Sequence, residues 1–276
     1  MHSAGSINYD NLTDKDHARV SLFMSKEAGI QLPQNKKNLI ETRLRKRQRA
    51  LKFKSLSDYI SYALDASEDE QIHFIDALTT NKTEFFREAS HYDHYVQYLE
   101  AAAQNVPLKV WSAGCSSGEE PYTLAMLAAE HRPHNTSILA TDISVSMLKR
   151  AKRGIYPHST VTPIPLAMRK RYLLRRKTEA TDEIKIAQDV RKFVTFDTFN
   201  LITGNYASLP KFDIIFCRNV MIYFNAEQRE KIMFQFCSRL KAGGLLFIGH
   251  SETLNNEKPH LSAVAPTVYQ REAASL

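Results

Sequence analysis

Lys109-Val110-Trp111-Ser112-Ala113-Gly114-Cys115-Ser116-Ser117-Gly118-Glu119-Glu120-Pro121 is the stretch whose reading decides the fold. Val106, Leu108, Val110 and Trp111 make a short, mostly apolar strand, and two glycines then bracket a polar turn. Pro121 suits the first turn of the helix that follows, whose Tyr122, Leu124, Ala125, Leu127 and Ala128 are apolar enough to lie on a sheet. Strand, tight turn and helix N-terminus in succession open a doubly wound α/β unit, in which a nucleotide-bearing ligand commonly lies at the first strand-to-helix crossing. The same turn also occurs with no ligand at all. A phosphate cradle needs bare amides and a Lys followed by Ser or Thr, whereas Glu119 and Glu120 put carboxylates where the anion would sit. A neutral or cationic ligand, such as one carrying an amino group and a sulfonium, fits better.

Downstream, strand alternates with helix. Ser137 to Thr141 reads as the second strand, ending in Asp142, and Val145 to Arg153 as its helix. Phe193 to Phe196 begins or continues the third main strand and Phe212 to Cys217 is the fourth. Ala226 to Leu240 is the helix after it and Leu245 to Gly249 the fifth strand, with Gly243-Gly244 as the turn between them. A final strand near Ala265 to Gln270 pairs antiparallel at the sheet edge. Residues 154 to 192 break the alternation. Pro157, Pro163 and Pro165 cluster there, Met168 to Leu174 reads as a short helix, and Glu183 to Ala187 and Val190 to Val194 read as narrow strands. That length is too great for an ordinary loop and marks a small inserted subdomain.

Upstream, residues 1 to 12 read as loose, and Thr13 with Asp16 forms a capping box before a helix that stops at Gly29. From Lys36 a second helix sets Leu39, Ile40, Leu44 and Leu51 on one side. Lys36, Lys37, Arg43, Arg45, Lys46, Arg47, Arg49, Lys52 and Lys54 cover the remainder, with only Glu41 against them. Nine cations against one anion repel one another, which points to an acidic docking partner. Ser55 with Asp58 begins a third helix, Glu68 to Leu78 makes a fourth, and His91 to Ala103 is a linking helix.

With 276 residues, 43% of them hydrophobic, the chain holds one large domain or two modest ones. No run reaches the length of a membrane span, and Met1 to Ser6 shows no apolar stretch of a signal peptide, so the expectation is a soluble intracellular protein. Cys115, Cys217 and Cys237 lie far apart, without a CxxC pair, and give neither a disulfide framework nor a zinc site. His91 with His94, and His131 with His134, each share a helical face, but no Glu or Cys completes a ligand set, so no metal is expected. A formal charge of +7 favours an acidic partner, either nucleic acid or a negatively charged protein surface.

In an open parallel sheet the ligand lies beyond the carboxyl ends of the central strands. The Gly114 turn, Asp142, Asn200-Leu201 and Arg218-Asn219 fall there. Asp142 sits where an acid can take both ribose hydroxyls of a nucleoside, or where it caps the next helix. Asn200 can meet an adenine edge and Leu201 its face, although Asn is also an ordinary turn former.

Several blocks together resemble the CheR family of chemotaxis receptor methyltransferases: Thr80-Asn81-Lys82-Thr83-Glu84-Phe85-Phe86-Arg87-Glu88, Trp111 to Tyr122, Thr141-Asp142-Ile143-Ser144, Arg153-Gly154-Ile155-Tyr156, Phe212 to Phe224 and Gly249-His250-Ser251-Glu252. The blocks run in family order from the helical region to the last strand. The resemblance implies a class I S-adenosylmethionine-dependent methyltransferase, α/β with a Rossmann-like sheet, an inserted antiparallel β-subdomain at 155–192 and an all-helical N-terminal domain at 1–88. A linker helix at 89–105 would lead into the methyltransferase domain, 106–276.

By the same resemblance the cofactor is S-adenosyl-L-methionine, released as S-adenosyl-L-homocysteine. The methyl acceptors are glutamate side chains of methyl-accepting chemotaxis proteins. Cofactor-binding residues carry over onto Asn81, Thr83, Arg87, Glu119, Asp142, Asn200, Leu201, Arg218 and Asn219. Arg87 and Tyr223 stand beside the transferring methyl group, in a cleft between the domains. The basic helix 36–54 meets the acidic signalling domain of the receptor, and in some members the β-subdomain grips a C-terminal tether peptide. The implied protein is a cytoplasmic monomer without membrane insertion. It takes no nucleic acid, because Cys217-Arg218-Asn219-Val220 offers no aromatic-proline platform for a flipped base. The stretches 163–165 and 178–182 depart from the family pattern.

Overall fold

The Thr13 hydroxyl accepts from the Asp16 amide at 3.0 Å, and Gly29 closes the same helix in the left-handed region at φ 72°, so α1 (Asp14–Ala28) runs between the two signals read for it. The computed structural model describes residues 11–65, 68–103, 105–132, 134–175, 182–254 and 260–272; positions 1–10 and 178–181, both remarked on above, lie outside them. The chain forms two units, Met1–Thr80 and Asn81–Leu276.

In the first unit, α1 is followed by α2 (Lys37–Ala50), α3 (Leu56–Asp65) and α4 (Glu68–Leu78). Val20, Met24, Ile40, Leu44, Tyr59, Ile60, Phe74 and Leu78 form its apolar interior, all nearly or fully buried. The charge on α2 differs from the expectation that only Glu41 offsets it. Arg47 forms a 2.6 Å pair with Glu70 of α4, Lys37 reaches Asp14 of α1 at 2.9 Å, and Arg45 pairs with Glu41 at 2.7 Å. Arg43 donates to the carbonyls of Leu78 and Thr79 at 2.9 and 2.8 Å. Apart from Glu41, the opposing groups come from α1, α4 and the residue after α4, out of reach of a reading confined to one helix. Lys46, Arg49, Lys52 and Lys54 remain on the exposed side.

The second unit begins with the segment 81–88, which the sequence reading joined to the helical domain. Then follow α5 (Ser90–Ala101), β1 (Leu108–Ala113), α6 (Glu119–His131), β2 (Thr136–Asp142) and α7 (Val145–Arg153). The insertion comprises β3 (Ile155–Pro157), α8 (Leu166–Tyr172), β4 (Leu173–Arg175), β5 (Glu183–Ile186) and α9 (Gln188–Arg191). The chain returns to the main sheet as β6 (Val194–Thr198), β7 (Phe212–Cys217), α10 (Ala226–Arg239), β8 (Leu240–Ile248), β9 (Leu261–Ala265) and β10 (Val268–Arg271).

The main sheet is seven-stranded in the order β6-β2-β1-β7-β8-β10-β9. Pairing is parallel from β6 to β8 and antiparallel between β8, β10 and β9. Val110, Ile214, Phe216 and Phe247 pack with Tyr95 and Leu124 on one face, while Trp111, Ile215, Leu246 and Ile248 pack with Ile232 and Phe236 on the other. Helices thus cover both faces, and the order of strands reverses between β1 and β7, the crevice where ligands of this architecture lie.

The insertion is an antiparallel sheet of order β3-β5-β4. Here several local expectations fail. Residues 190–194 are not a strand, since α9 takes up Val190; the helix read to Leu174 ends at Tyr172; and β3 and β4 were not read at all. Three-residue strands carry too little alternation to show a period. Gly243-Gly244 is not a turn either. Leu240 already pairs with Phe212, the register shifts before Ile214, and both glycines lie within β8 as an irregularity. A Cβ on Gly244 would stand 2.6 Å from the Asp213 carbonyl oxygen. The last segment is a hairpin whose β10 pairs with β8, so the sheet edge is β9. No helix among the described residues is long and apolar enough to cross a membrane.

Candidate active site

The turn after β1 is held from three sides. The amides of Gly114 and Cys115 both donate to the Thr141 carbonyl, at 2.8 and 2.9 Å, which docks the turn on the end of β2. Gly114 has φ 85°, and a Cβ there would lie 2.5 Å from a Val220 methyl of the loop after β7. From the inserted sheet, the fully buried Tyr156 donates to the Ser117 carbonyl at 2.7 Å.

Glu119 and Glu120 open α6 but do different work. Glu120 accepts from the Ser112 hydroxyl at 2.7 Å and from Arg218 Nε at 2.8 Å, so it braces the interior. Glu119 is 4% exposed and meets the Ser117 hydroxyl at 2.6 Å. Burial pushes its carboxyl up, and the Ser117 bond offsets that only in part.

Asp142 accepts from the Ser116 amide at 2.7 Å and from the Ser144 amide at 2.8 Å. The cap of α7 is the Ser144 hydroxyl, which receives the Met147 amide, so the capping alternative for Asp142 passes to Ser144. Asn200 Oδ1 accepts from the amides of Ile202 and Thr203 at 2.8 and 3.4 Å, a turn-forming use. Leu201 is 9% exposed and belongs to the apolar cluster of Trp111 and Tyr206.

Segment 81–88 lies against the turn. The Asn81 carbonyl receives the Ser116 hydroxyl at 3.1 Å, and the Phe86 amide donates to Thr123 Oγ1 at 3.2 Å. Buried Phe85 stands edge-on to Tyr156 with ring centres 5.1 Å apart. Thr83 and Arg87 are half-buried, and Arg87 Nη1 donates to the Lys82 carbonyl at 3.0 Å.

Arg218, 6% exposed, is committed in every direction: Nη1 to the Arg87 carbonyl at 2.7 Å, Nη2 to the Tyr92 hydroxyl at 2.9 Å, and Nε to Glu120. Burial works against its charge, but Glu120, Tyr92 and Glu88 outweigh this and raise its pKa further. Asn219 follows in the left-handed region at φ 59°, and Tyr223, half-buried, ends the short 3-10 turn Met221–Tyr223.

Glu88, His91 and His250 place one potential metal-ligand atom each within 4.8 Å of one another, a constellation that the spacing of histidines alone did not reveal. Thr267 spends its proton on the Pro266 carbonyl, so its oxygen accepts from His91 Nε2 at 2.8 Å and leaves the lone pair on Nδ1. Arg218 Nη1 stands 3.3 Å from that Nδ1 and 3.6 Å from Glu88 Oε2, so a fixed cation already competes for two of the three groups. Burial, with Arg218 beside it, pushes the His91 pKa down to about 4. Glu88, His91, Tyr92, Glu120 and Tyr156 were missed as parts of the site, because folding alone brings them together.

The family profile described as "CheR methyltransferase, SAM binding domain" matches residues 81–270, and "CheR methyltransferase, all-alpha domain" matches residues 15–79. A chemotaxis protein methyltransferase of Borreliella burgdorferi is 37% identical over 274 residues, with 95% of each chain covered. The protein of the same name from Salmonella typhimurium is 36% identical, covering 94% of this chain and 90% of its own. Chemotaxis protein methyltransferase 2 of Pseudomonas aeruginosa is 33% identical, covering 93% of both.

Proposed function

The chain belongs to the CheR methyltransferase family, and we propose that it esterifies glutamate side chains on the cytoplasmic signalling domains of chemoreceptors, with S-adenosylmethionine as methyl donor. The observation that carries this reading is the kind of group gathered at the carboxyl ends of β1, β2 and β7: buried acceptors, with Glu119 set where a phosphate site would keep bare amides. Asn219 Oδ1 is also buried there without a hydrogen-bond partner among the described residues. A ligand that is a cation and a donor suits such a set, so the residues fit S-adenosylmethionine.

When bound, that cofactor supplies a methyl group on a positively charged sulfur. Glu119 and Asp142 are assigned to its amino and ribose groups, with Asn81, Thr83, Asn200, Leu201 and Asn219 completing its enclosure. Since the Arg218 side chain is spent on Glu120, Tyr92 and the Arg87 carbonyl, its main chain is the part assigned to the cofactor. A substrate glutamate, with an ordinary pKa of ~4.3, is already ionised at neutral pH and needs no general base. The protein's task is alignment and exclusion of water, and Arg87 and Tyr223 are assigned to hold the carboxylate in line with the methyl carbon. A single bond from Arg87 is preferable to a bidentate clamp, which would quench the nucleophile.

Receptor docking is assigned to the exposed cations of α2 and the turn after it, Lys46, Arg49, Lys52 and Lys54. A C-terminal receptor peptide is assigned to the small sheet, where exposed Ile155, Lys185 and Leu174 form one row across β3, β5 and β4. The reading makes the protein a cytoplasmic monomer that does not act on nucleic acid. Incubation with labelled S-adenosylmethionine and a receptor signalling fragment tests it: base-labile label on the fragment is expected. Acid- and base-stable label, or transfer to RNA in its place, would overturn the assignment.

A further inference from the structure

We infer that Glu252 and Glu88 are positioning residues, which together fasten the loop after β7 to the turn after β8 and to the Arg87 segment; the inference rests on the proposed methyl transfer. The Gly249-His250-Ser251-Glu252 block reaches the groups assigned to the cofactor and substrate through that loop and through Glu88. Glu252 is 5% exposed, and its Oε2 accepts from the Asn219 amide at 3.0 Å and from the Gly249 amide at 2.5 Å. Its own amide closes the turn on the Gly249 carbonyl at 2.9 Å. The space admits only glycine at 249: a Cβ would stand 2.5 Å from Asn219 Nδ2 and 2.9 Å from Glu252 Oε2.

Glu88 works from the other side. Its Oε1 accepts from Asn219 Nδ2 and from the His250 amide, each at 3.2 Å. Asn219 is thereby held by main chain and side chain alike, in a left-handed conformation (φ 59°) that a residue with a Cβ adopts at a cost of about 1 kcal/mol. The Arg218 bond to the Arg87 carbonyl, 2.7 Å, completes the fastening.

A buried carboxylate with no cation in contact is expensive unless donors repay it, and the donors that repay Glu252 are the Gly249 amide of its own turn and amides of the loop that ends in Tyr223. Burial pushes the Glu252 carboxyl up, while the amides of Gly249, Asn219, Met221 and Ile222 pull the other way. Burial also opposes ionisation of Glu88, yet the His250 amide, Asn219 and Arg218 together hold its carboxyl below the usual range. Tyr223 and Arg87, the two groups assigned to the reacting carboxylate, are thus set at the two ends of one bracket whose middle is Asn219.

The test uses the full chain with Glu252→Ala, Glu252→Gln and Glu88→Gln. Hydrogen exchange by mass spectrometry, steady-state kinetics on a receptor fragment and calorimetric titration with S-adenosylmethionine are measured on each. Glu252→Ala should raise exchange in 218–224 and 249–252 by about tenfold while α7 and β2 keep their protection, and should lower kcat by about 10- to 100-fold with cofactor affinity within about threefold. Glu252→Gln, which keeps one acceptor oxygen, should fall between Ala and wild type, and it serves if Ala does not fold. Unchanged exchange in the loop, a looser loop with unchanged kcat, or exchange rising uniformly with loss of cofactor affinity would each overturn the inference. If the wild-type chain methylates no receptor fragment, the functional assignment fails, and the exchange measurement then decides the bracket alone.

Discussion

Asp142 ties two amides of the strand ends together, so its removal has two separable effects. Asp142→Ala should weaken S-adenosylmethionine binding at least ~30-fold, from loss of about 2 kcal/mol of charge-assisted bonding. It should also lower stability by about 1–3 kcal/mol, through the stranded amides of Ser116 and Ser144. Calorimetry and thermal melting measure the two, and unchanged affinity would remove Asp142 from the ribose. Gly114→Ala should be worse than its size suggests: with φ 85° and a Val220 methyl 2.5 Å from the new Cβ, the turn must shift. Loss of cofactor binding without global unfolding is the expected outcome, checked by titration and circular dichroism. At this scale the place of Glu119 at the helix start is legible from sequence, since Gly118 and Pro121 mark that start, while its part in cofactor binding rests on the proposed function. Asp142 stayed ambiguous because Asp serves equally well as a cap, and only the bond from the Met147 amide to the Ser144 hydroxyl shows which residue caps. The partners of Arg218 were illegible: residues 87, 92 and 120 converge on it through the sheet, not through spacing.

Helix α2 and the turn after it divide their cations between two jobs. Arg47→Glu should cost about 3 kcal/mol, because it leaves the nearly buried Glu70 facing a like charge, and should lower the melting temperature clearly. Reversal of Lys46, Lys52 and Lys54 together should leave melting nearly unchanged while weakening receptor methylation, an effect that fades as salt is raised. Equal loss of melting temperature in both variants would contradict this division. Val145–Arg153, with an apolar stripe between Ser144 and Gly154, is legible to the residue, as is Glu68–Leu78. So is Phe212–Cys217, a strand buried on both faces. Short strands in the insertion are not, since Ile155–Pro157 exists through its pairing with β5 and through Tyr156 reaching the Ser117 carbonyl. Gly243-Gly244 misleads for a related reason: a glycine pair reads locally as a turn, and only the partner strand reveals a shifted register.

At the scale of the molecule, the alternation of strands and helices announces a parallel sheet, but nothing local dictates that β7 lies beside β1, which creates the crevice. The same assembly buries His91 between Arg218 and Phe247 and pushes its pKa down to about 4. The unfolded imidazole takes a proton near ~6.5, so the unfolded state binds more protons between these values. Stability should therefore fall as pH drops from about 6.5 toward 4, by up to about 3 kcal/mol from this group. An NMR titration in which His91 protonates near its ordinary value would contradict this.

Trp111 is the only tryptophan in the chain, fully buried, with Phe212 stacked at 5.2 Å and its indole nitrogen donating to Thr141 at 2.9 Å. Its strand leads straight into the Gly114 turn, and its bond partner Thr141 is the residue whose carbonyl docks that turn. Tryptophan emission is therefore a built-in optical probe of the sheet unit alone. The helical unit is silent at that wavelength, whereas helical ellipticity reports both units because α5–α10 belong to the sheet unit, so a loss of ellipticity that leaves the emission unchanged marks the melting of the helical unit without any label.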